Sequence, residues 1–151
     1  MRISNSFDIS ASALTAQRLR MDVVSSNIAN AETTRASIQN GEAVPYRRKE
    51  VILSTNKPSF ADSLDNAING TNNSGLNGVK AVGIQDDQEP FKLVYNPTHP
   101  DADKDGYVKM PNVDTLKEMV DMISASRSYE ANVTALNATK SMLMKAMQIG
   151  K

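Results

Sequence analysis

FDISASALTAQRLRMDVVSSNIAN, residues 7–30, is the stretch that decides the fold class. Phe7, Leu14, Met21 and Ile28 recur every seventh residue, Ile3, Ala11 and Val24 fill in beside them, and neither glycine nor proline occurs from Met1 to Asn40. That recurrence draws one narrow apolar stripe along a helix. Asn5 and Asp8 stand at capping-box spacing near its start, and Asn30, in NIANAETT, is a residue suited to a helix end. The pattern predicts a helix from about residue 6 to about residue 29, roughly 36 Å long.

The other end of the chain mirrors this. After Pro111 there is no proline, and no glycine before Gly150. Thr115 and Glu118 form the S/T-x-x-E pattern that satisfies amides at a helix start, with Asn112 at the entrance. Met119, Met122, Ile123, Tyr129, Val133, Leu136, Leu143 and Met147 then fall at spacings of three and four, along a helix of roughly 50 Å. Beyond Glu130 the only charges are Lys140, Lys145 and Lys151, which suits the negative end of the helix dipole.

Between the helices the periodicity shortens. YRRKEVILST (46–55), GVKAVGIQDD (78–87), FKLVYNP (91–97) and GYVKMP (106–111) have strand character and predict a small antiparallel sheet. Residues 56–77, rich in Asn, Gly and Ser, are expected to be a flexible excursion with one helical turn around SFADSLDNAI. The expected fold is mainly α with a small β region. Long terminal helices pair as a coiled-coil-like arm, and the parts are 1–34, 35–111 with its excursion, and 112–151.

Composition narrows the function. Lys plus Arg equals Asp plus Glu at 17 each, so no net field draws the chain to nucleic acid or an acidic membrane. Cysteine is absent, which removes thiol catalysis and cysteinyl zinc sites. MRISNSFDIS lacks the apolar run of a secretory signal, and no stretch approaches the roughly 20 apolar residues of a membrane span, so no membrane insertion is expected. With one histidine, no phosphate loop and no nucleophile elbow there is no catalytic set, and neither an enzyme nor a cofactor is expected. His99, between Thr98 and Pro100, is expected to be structural.

DADKDGYVKMPN (101–112) has the alternating aspartates of a calcium loop, and a calcium-responsive binding module is the alternative function. An EF-hand, however, needs a bidentate Glu where Asn112 stands, and an entering helix where Pro97 and Pro100 forbid one. A solvated acidic turn closed by Gly106 is the stronger reading.

Each terminal stripe needs a partner, and the nearest is the other terminus. Burying two narrow stripes against each other falls short of the cost of ordering both helices, so further burial is expected from neighbouring molecules. Gln17, Ser126 and Lys140 interrupt the seams, as where register and partner are specified. The methionines concentrated in the arms can adapt to partners of irregular shape.

ALTAQRLRMDVVSSNIANAETT (13–34) resembles the amino-terminal signature of bacterial flagellar axial proteins, the rod and hook family. EMVDMISASRSYEANVTALNATKSMLMKAMQIG (118–150) resembles their carboxy-terminal helix, with Arg127, Tyr129, Glu130, Ala131 and Asn132 in its hallmark. YNPTHPDADKDGYVKMPNVD (95–114) is similar to the middle of basal-body rod members, while another axial protein of the same family is the neighbouring alternative.

The resemblance implies a structural subunit of the proximal rod, part of the drive shaft and export channel, with a β region lying further out. It implies export by the flagellar type III apparatus without a cleaved signal peptide, to a place outside the cytoplasmic membrane. The partners implied are copies of itself, other rod proteins and the export-gate adaptor at the rod base. The assembly residues expected are Leu14, Met21, Val24, Asn27, Ile28, Asn30, Met119, Ile123, Tyr129, Asn132, Val133, Leu136, Leu143 and Met147. Asn30 is expected to be a local cap, and Asn132 to contact another segment. Arg47, Arg48 and Lys49 are expected to line a solvated strand face, or to meet an acidic patch such as Asp86, Asp87 and Glu89 on a neighbour.

Overall fold

The helix expected over about 6–29 runs from Ile3 to Ala29 as α1, so Asn5 lies inside it instead of capping it. The computed structural model describes residues 3–39, 42–56 and 77–149, together with Leu64 and Ile68. The rest of the expected 56–77 excursion lies outside the described residues. After α1 come β1 (Ser37–Gln39), β2 (Glu42–Val44), β3 (Lys49–Thr55), β4 (Val79–Asp86), β5 (Lys92–Tyr95), β6 (Tyr107–Met110) and α2 (Thr115–Ile149). Each strand expected from the sequence is present, and β1–β2 is an addition to them.

The end of α1 is capped as expected. The Asn30 amide nitrogen of the side chain donates to the Ser26 carbonyl at 2.9 Å, and its Oδ1 accepts from the Thr33 hydroxyl at 3.2 Å. The start of α2 differs from the S/T-x-x-E expectation. Asp114 is its cap, with Oδ1 accepting from the amide of Leu116 at 3.0 Å, and Glu118 is turned inward. Asp114 wins because its side-chain oxygen reaches the first orphan amides of the helix, which leaves Glu118 free for longer-range partners.

The single small sheet expected is instead three two-stranded ladders, β1–β2, β3–β4 and β5–β6. Ser37 pairs with Val44, and Lys92–Tyr95 run antiparallel to Tyr107–Met110. The Asp87 amide donates to the Arg48 carbonyl at one end of β3–β4 and the Asn56 amide to the Gly78 carbonyl at the other, which makes that pair antiparallel too. A wider sheet is blocked at β3 by side chains. The Asn27 amide group bonds both the N–H and the C=O of Lys49, and Asn112 Oδ1 takes the N–H of Arg48, standing where a neighbouring strand would.

By packing, the chain forms two units that cut across its linear order. The described residues of one lie within 1–19, 53–82 and 126–151, and those of the other within 20–52 and 83–125. In the first, Ser12 fixes the start of β4: its hydroxyl accepts from the Val79 amide at 3.1 Å and donates to the Ile9 carbonyl at 2.7 Å. A Cβ on Gly78 would stand 2.4 Å from that hydroxyl oxygen, so only glycine allows the close approach. In the second unit Val23, Val24, Tyr46, Val108, Val113 and Ala125 are buried and form the core.

Gly106 closes the acidic turn with a φ of 79°. A Cβ there would lie 2.9 Å from the Tyr95 ring, which itself stacks edge-on against Tyr107 at 5.3 Å. Gly106→Ala is therefore expected to lower stability by about 1–3 kcal/mol, from backbone strain and displacement of Tyr95. Thermal unfolding checks this, and an unchanged midpoint would contradict it.

Candidate functional site

Asn27, near the end of α1, is 1% exposed. Its side-chain nitrogen donates to the Lys49 carbonyl and to Glu118 Oε2, each at 2.9 Å. Its oxygen accepts from the Lys49 amide at 2.9 Å and from the Tyr46 hydroxyl at 3.0 Å. Both donors and both lone pairs are thus used, a fully satisfied buried amide. One side chain thereby ties α1 to β3 and to α2.

Glu118 is fully buried and paired. Its Oε1 accepts from Arg48 Nε at 2.6 Å, and Arg48 also reaches Asp87 at 3.1 Å and Glu50. Burial works against the Arg48 charge, but hydrogen bonds to Glu118 and Asp87 overcome it and hold its pKa above the ordinary guanidinium value. Arg20 and Asp121 add a second α1–α2 tie at 3.1 Å. The Arg48–Asp121 contact is long at 3.9 Å and Asp121 is the more exposed partner, so the 2.6 Å pair of Arg48 with buried Glu118 dominates. Within this unit the two helices run antiparallel, because Arg20 meets Asp121 while Asn27, further along α1, meets the earlier Glu118.

The basic run 47–49 is therefore not a bare strand face. Arg47 donates to the Asp87 carbonyl at 3.1 Å and lies 4.7 Å over the Phe91 ring, and Lys49 meets Asp86 at 2.8 Å. The acidic patch is supplied by the same chain, because β3–β4 pairing brings it alongside.

The Asp87 carboxyl is held below its ordinary value, chiefly by the backbone N–H of Glu89 and then by Arg48, with burial opposing. A lowered folded-state pKa gives stability that is present above the unfolded value, near pH 4, and is lost as pH falls through the folded value. Stability is thus expected to decline below about pH 4 in wild type, and less steeply in Asp87→Asn. Urea titrations across that range check it; parallel curves would contradict it.

The 101–112 turn is organised around protein partners. Asp101 accepts from the Thr34 hydroxyl at 2.9 Å and from Arg35, which together hold its pKa down against the cost of desolvation. His99 Nδ1 accepts from the Asp101 amide at 3.1 Å, the structural role expected. Asn112 is buried, accepting from Arg48 and donating to the Glu89 carbonyl at 3.3 Å. The first and twelfth positions of the would-be loop are thus both committed elsewhere, and no metal-holding acidic cluster occurs among the described residues.

The residues expected at assembly contacts divide by burial. Val24 and Asn27 are buried in the second unit. Leu14, Met21, Ile28, Asn30, Tyr129, Asn132, Val133, Leu136 and Leu143 are half-buried. Asn132 donates to the Ser128 carbonyl of its own helix at 2.8 Å, the carbonyl four residues back being within reach of a short amide. Met119, Ile123 and Met147 are exposed.

Two of those exposed residues belong to a stripe the sequence reading did not separate. Leu116 is 69% exposed, Met119 49%, Val120 61% and Ile123 54%. At 3.6 residues per turn they share one face of α2, roughly opposite the face of Glu118, Met122 and Ala125. Scattered apolar side chains on a surface are ordinary, but four along one stripe mark a contact surface. The three-and-four spacing of Leu116, Val120 and Ile123 was a signal for it. For Tyr46, Arg48 and Glu118 no local signal existed, because their partners lie far along the chain.

Two family descriptions match the chain: flagella basal body rod protein over residues 7–36, and the flagellar basal body rod FlgEFG protein C-terminal region over 104–149. The chain is 61% identical over 151 residues to the flagellar basal-body rod protein FlgC of Bacillus subtilis, covering 100% of each. It is 44% identical to that of Borreliella burgdorferi, covering 99% of this chain and 98% of the relative. It is also 44% identical to that of Escherichia coli O157:H7, covering 100% of each. Among the described residues no helix is long and apolar enough to cross a membrane.

Proposed function

This chain belongs to the FlgC family of flagellar basal-body rod proteins, and from that premise we propose how it serves as a structural subunit of the rod. Copies of the chain stack with one another and with other rod proteins in the proximal rod. The terminal helices, 1–34 and 112–151, close as a coiled-coil-like arm around the export channel, and the 35–111 region lies further out. No catalysis is involved. Delivery by the flagellar type III apparatus, without a cleaved signal, and contact with the export-gate adaptor complete the reading.

The observation that carries it is the second apolar face of α2. Leu116, Met119, Val120 and Ile123 remain in solvent although the opposite face of the same helix is packed. Exposed Met142, Met144 and Met147 extend the demand for partners toward the carboxy terminus. We assign Met119, Ile123 and Met147 to contacts between subunits. Leu14, Met21, Ile28, Tyr129, Asn132, Val133, Leu136 and Leu143 belong to the seam of the arm, and Val24, Asn27 and Asn30 hold the shape of the subunit.

The test is replacement. Bacillus subtilis lacking its own FlgC, given this chain, is expected to assemble basal bodies and swim. Accumulation of the chain to normal level without hooks or filaments would overturn the proposal.

A further inference from the structure

The β5–β6 ladder fixes which backbone groups of β6 are left over. Tyr95 pairs with Tyr107 and Leu93 with Lys109, and the Asn96 amide donates to the Gly106 carbonyl at 2.9 Å. Hydrogen-bonded and non-bonded pairs alternate in an antiparallel ladder, so Asn96–Gly106, Val94–Val108 and Lys92–Met110 are the bonded ones. The N–H and C=O groups of Tyr107 and Lys109 therefore point away from β5. The Tyr107 carbonyl agrees, since it accepts from the Asp103 amide at 2.8 Å on that outer side. The Tyr107 N–H and both backbone groups of Lys109 have no partner among the described residues.

This edge runs along a cleft of about 340 Å³ whose lining includes Ile38, Glu42, Pro100, Asp103, Tyr107 and Lys109. A short edge strand bearing a lysine commonly discourages pairing. Here the edge has a facing wall, with Ile38 74% exposed upon it. The charged lining residues are Arg35 and Lys109 against Glu42, Asp101 and Asp103, two positive and three negative. Arg35 is held by Asp101, which leaves Glu42 and Asp103 without an ion-pair partner among the described residues.

We propose that the outer edge of β6 takes up an extended segment of another protein chain as a third strand, with a basic side chain of that segment set beside Glu42 and Asp103. The free N–H of Tyr107 and the free N–H and C=O of Lys109 are what such a strand satisfies, the Tyr107 carbonyl being already taken by Asp103, and an apolar side chain of the guest covers Ile38. The site is separate from the α2 stripe and stands without the rod-stacking reading.

The test is a titration of the full-length, isotope-labelled chain with an acetylated and amidated hexapeptide of alternating Val and Lys, followed by amide chemical shifts. Saturable shifts are expected at Tyr107, Lys109 and Ile38. Lys109→Pro removes an N–H that the β5–β6 ladder does not use, and is expected to weaken binding at least about tenfold, whereas Lys109→Ala keeps that N–H and binding. A peptide with Glu in place of Lys is expected to bind at least about tenfold more weakly. No saturable shift at Tyr107 and Lys109, undiminished binding to Lys109→Pro with its ladder intact, or equal binding of the Glu peptide would each overturn the proposal.

Discussion

Asn27→Ala is expected to destabilise the chain by about 3–5 kcal/mol, because it strands several buried polar groups at once. The N–H and C=O of Lys49 and Glu118 Oε2 lose the Asn27 amide, and the Tyr46 hydroxyl is left with the longer contact to Ser26 Oγ at 3.4 Å. Of these, Glu118 matters most: it is fully buried, and after the change Arg48 is its one side-chain partner among the described residues. An uncompensated oxygen of a buried carboxylate is far costlier than a lost hydrogen bond at the surface. Urea unfolding measures the effect. Asn27→Asp should be at least as damaging, since it sets a second carboxylate against Glu118 and removes both amide donors. A loss below about 1 kcal/mol in Asn27→Ala would mean that water takes the place of the amide, and that the network is not what joins α1, β3 and α2.

The second large effect concerns assembly and not folding. Val120→Asp is expected to abolish swimming in the replacement strain while changing the stability of the isolated chain by no more than about 0.5 kcal/mol. Val120 is 61% exposed, so aspartate there stays hydrated in the free subunit. In an assembled rod the same charge would enter an apolar contact without a partner, a cost the interface cannot meet. Leu116→Asp, at a site 69% exposed, should behave alike. Motility on soft agar together with the urea midpoint separates the two quantities. Swimming at the parental rate in both variants, at normal protein level, would remove the α2 stripe from the proposed rod contacts.

The first of these effects acts through Glu118 and the second through Val120, on opposite faces of α2, and the difference between them shows what was legible in the sequence. The existence of α1 and α2 was, since long runs without glycine or proline and a three-and-four spacing leave little else for the backbone to do. So were the strands, whose β-branched and alternating runs are bounded by turn residues. The turn at Gly106 was legible as well, because one residue at positive φ has a local chemical signature. Glu118 was not. Three residues after Thr115 it matched a helix-start pattern, yet Asp114 caps the helix and Glu118 meets Asn27 and Arg48.

By itself, then, the sequence determined the periodic elements and the acidic turn, because each follows from neighbours within a few residues. Only the tertiary structure decided which face of α2 is packed, since apolar residues lie on both. It also decided that β3 ends against the Asn27 and Asn112 side chains instead of a further strand, and that Arg48 pairs within its own chain. The physical reason is the same in each case. Periodicity is a property of local backbone geometry, whereas the satisfaction of a buried charge or amide depends on groups that folding brings from dozens of residues away.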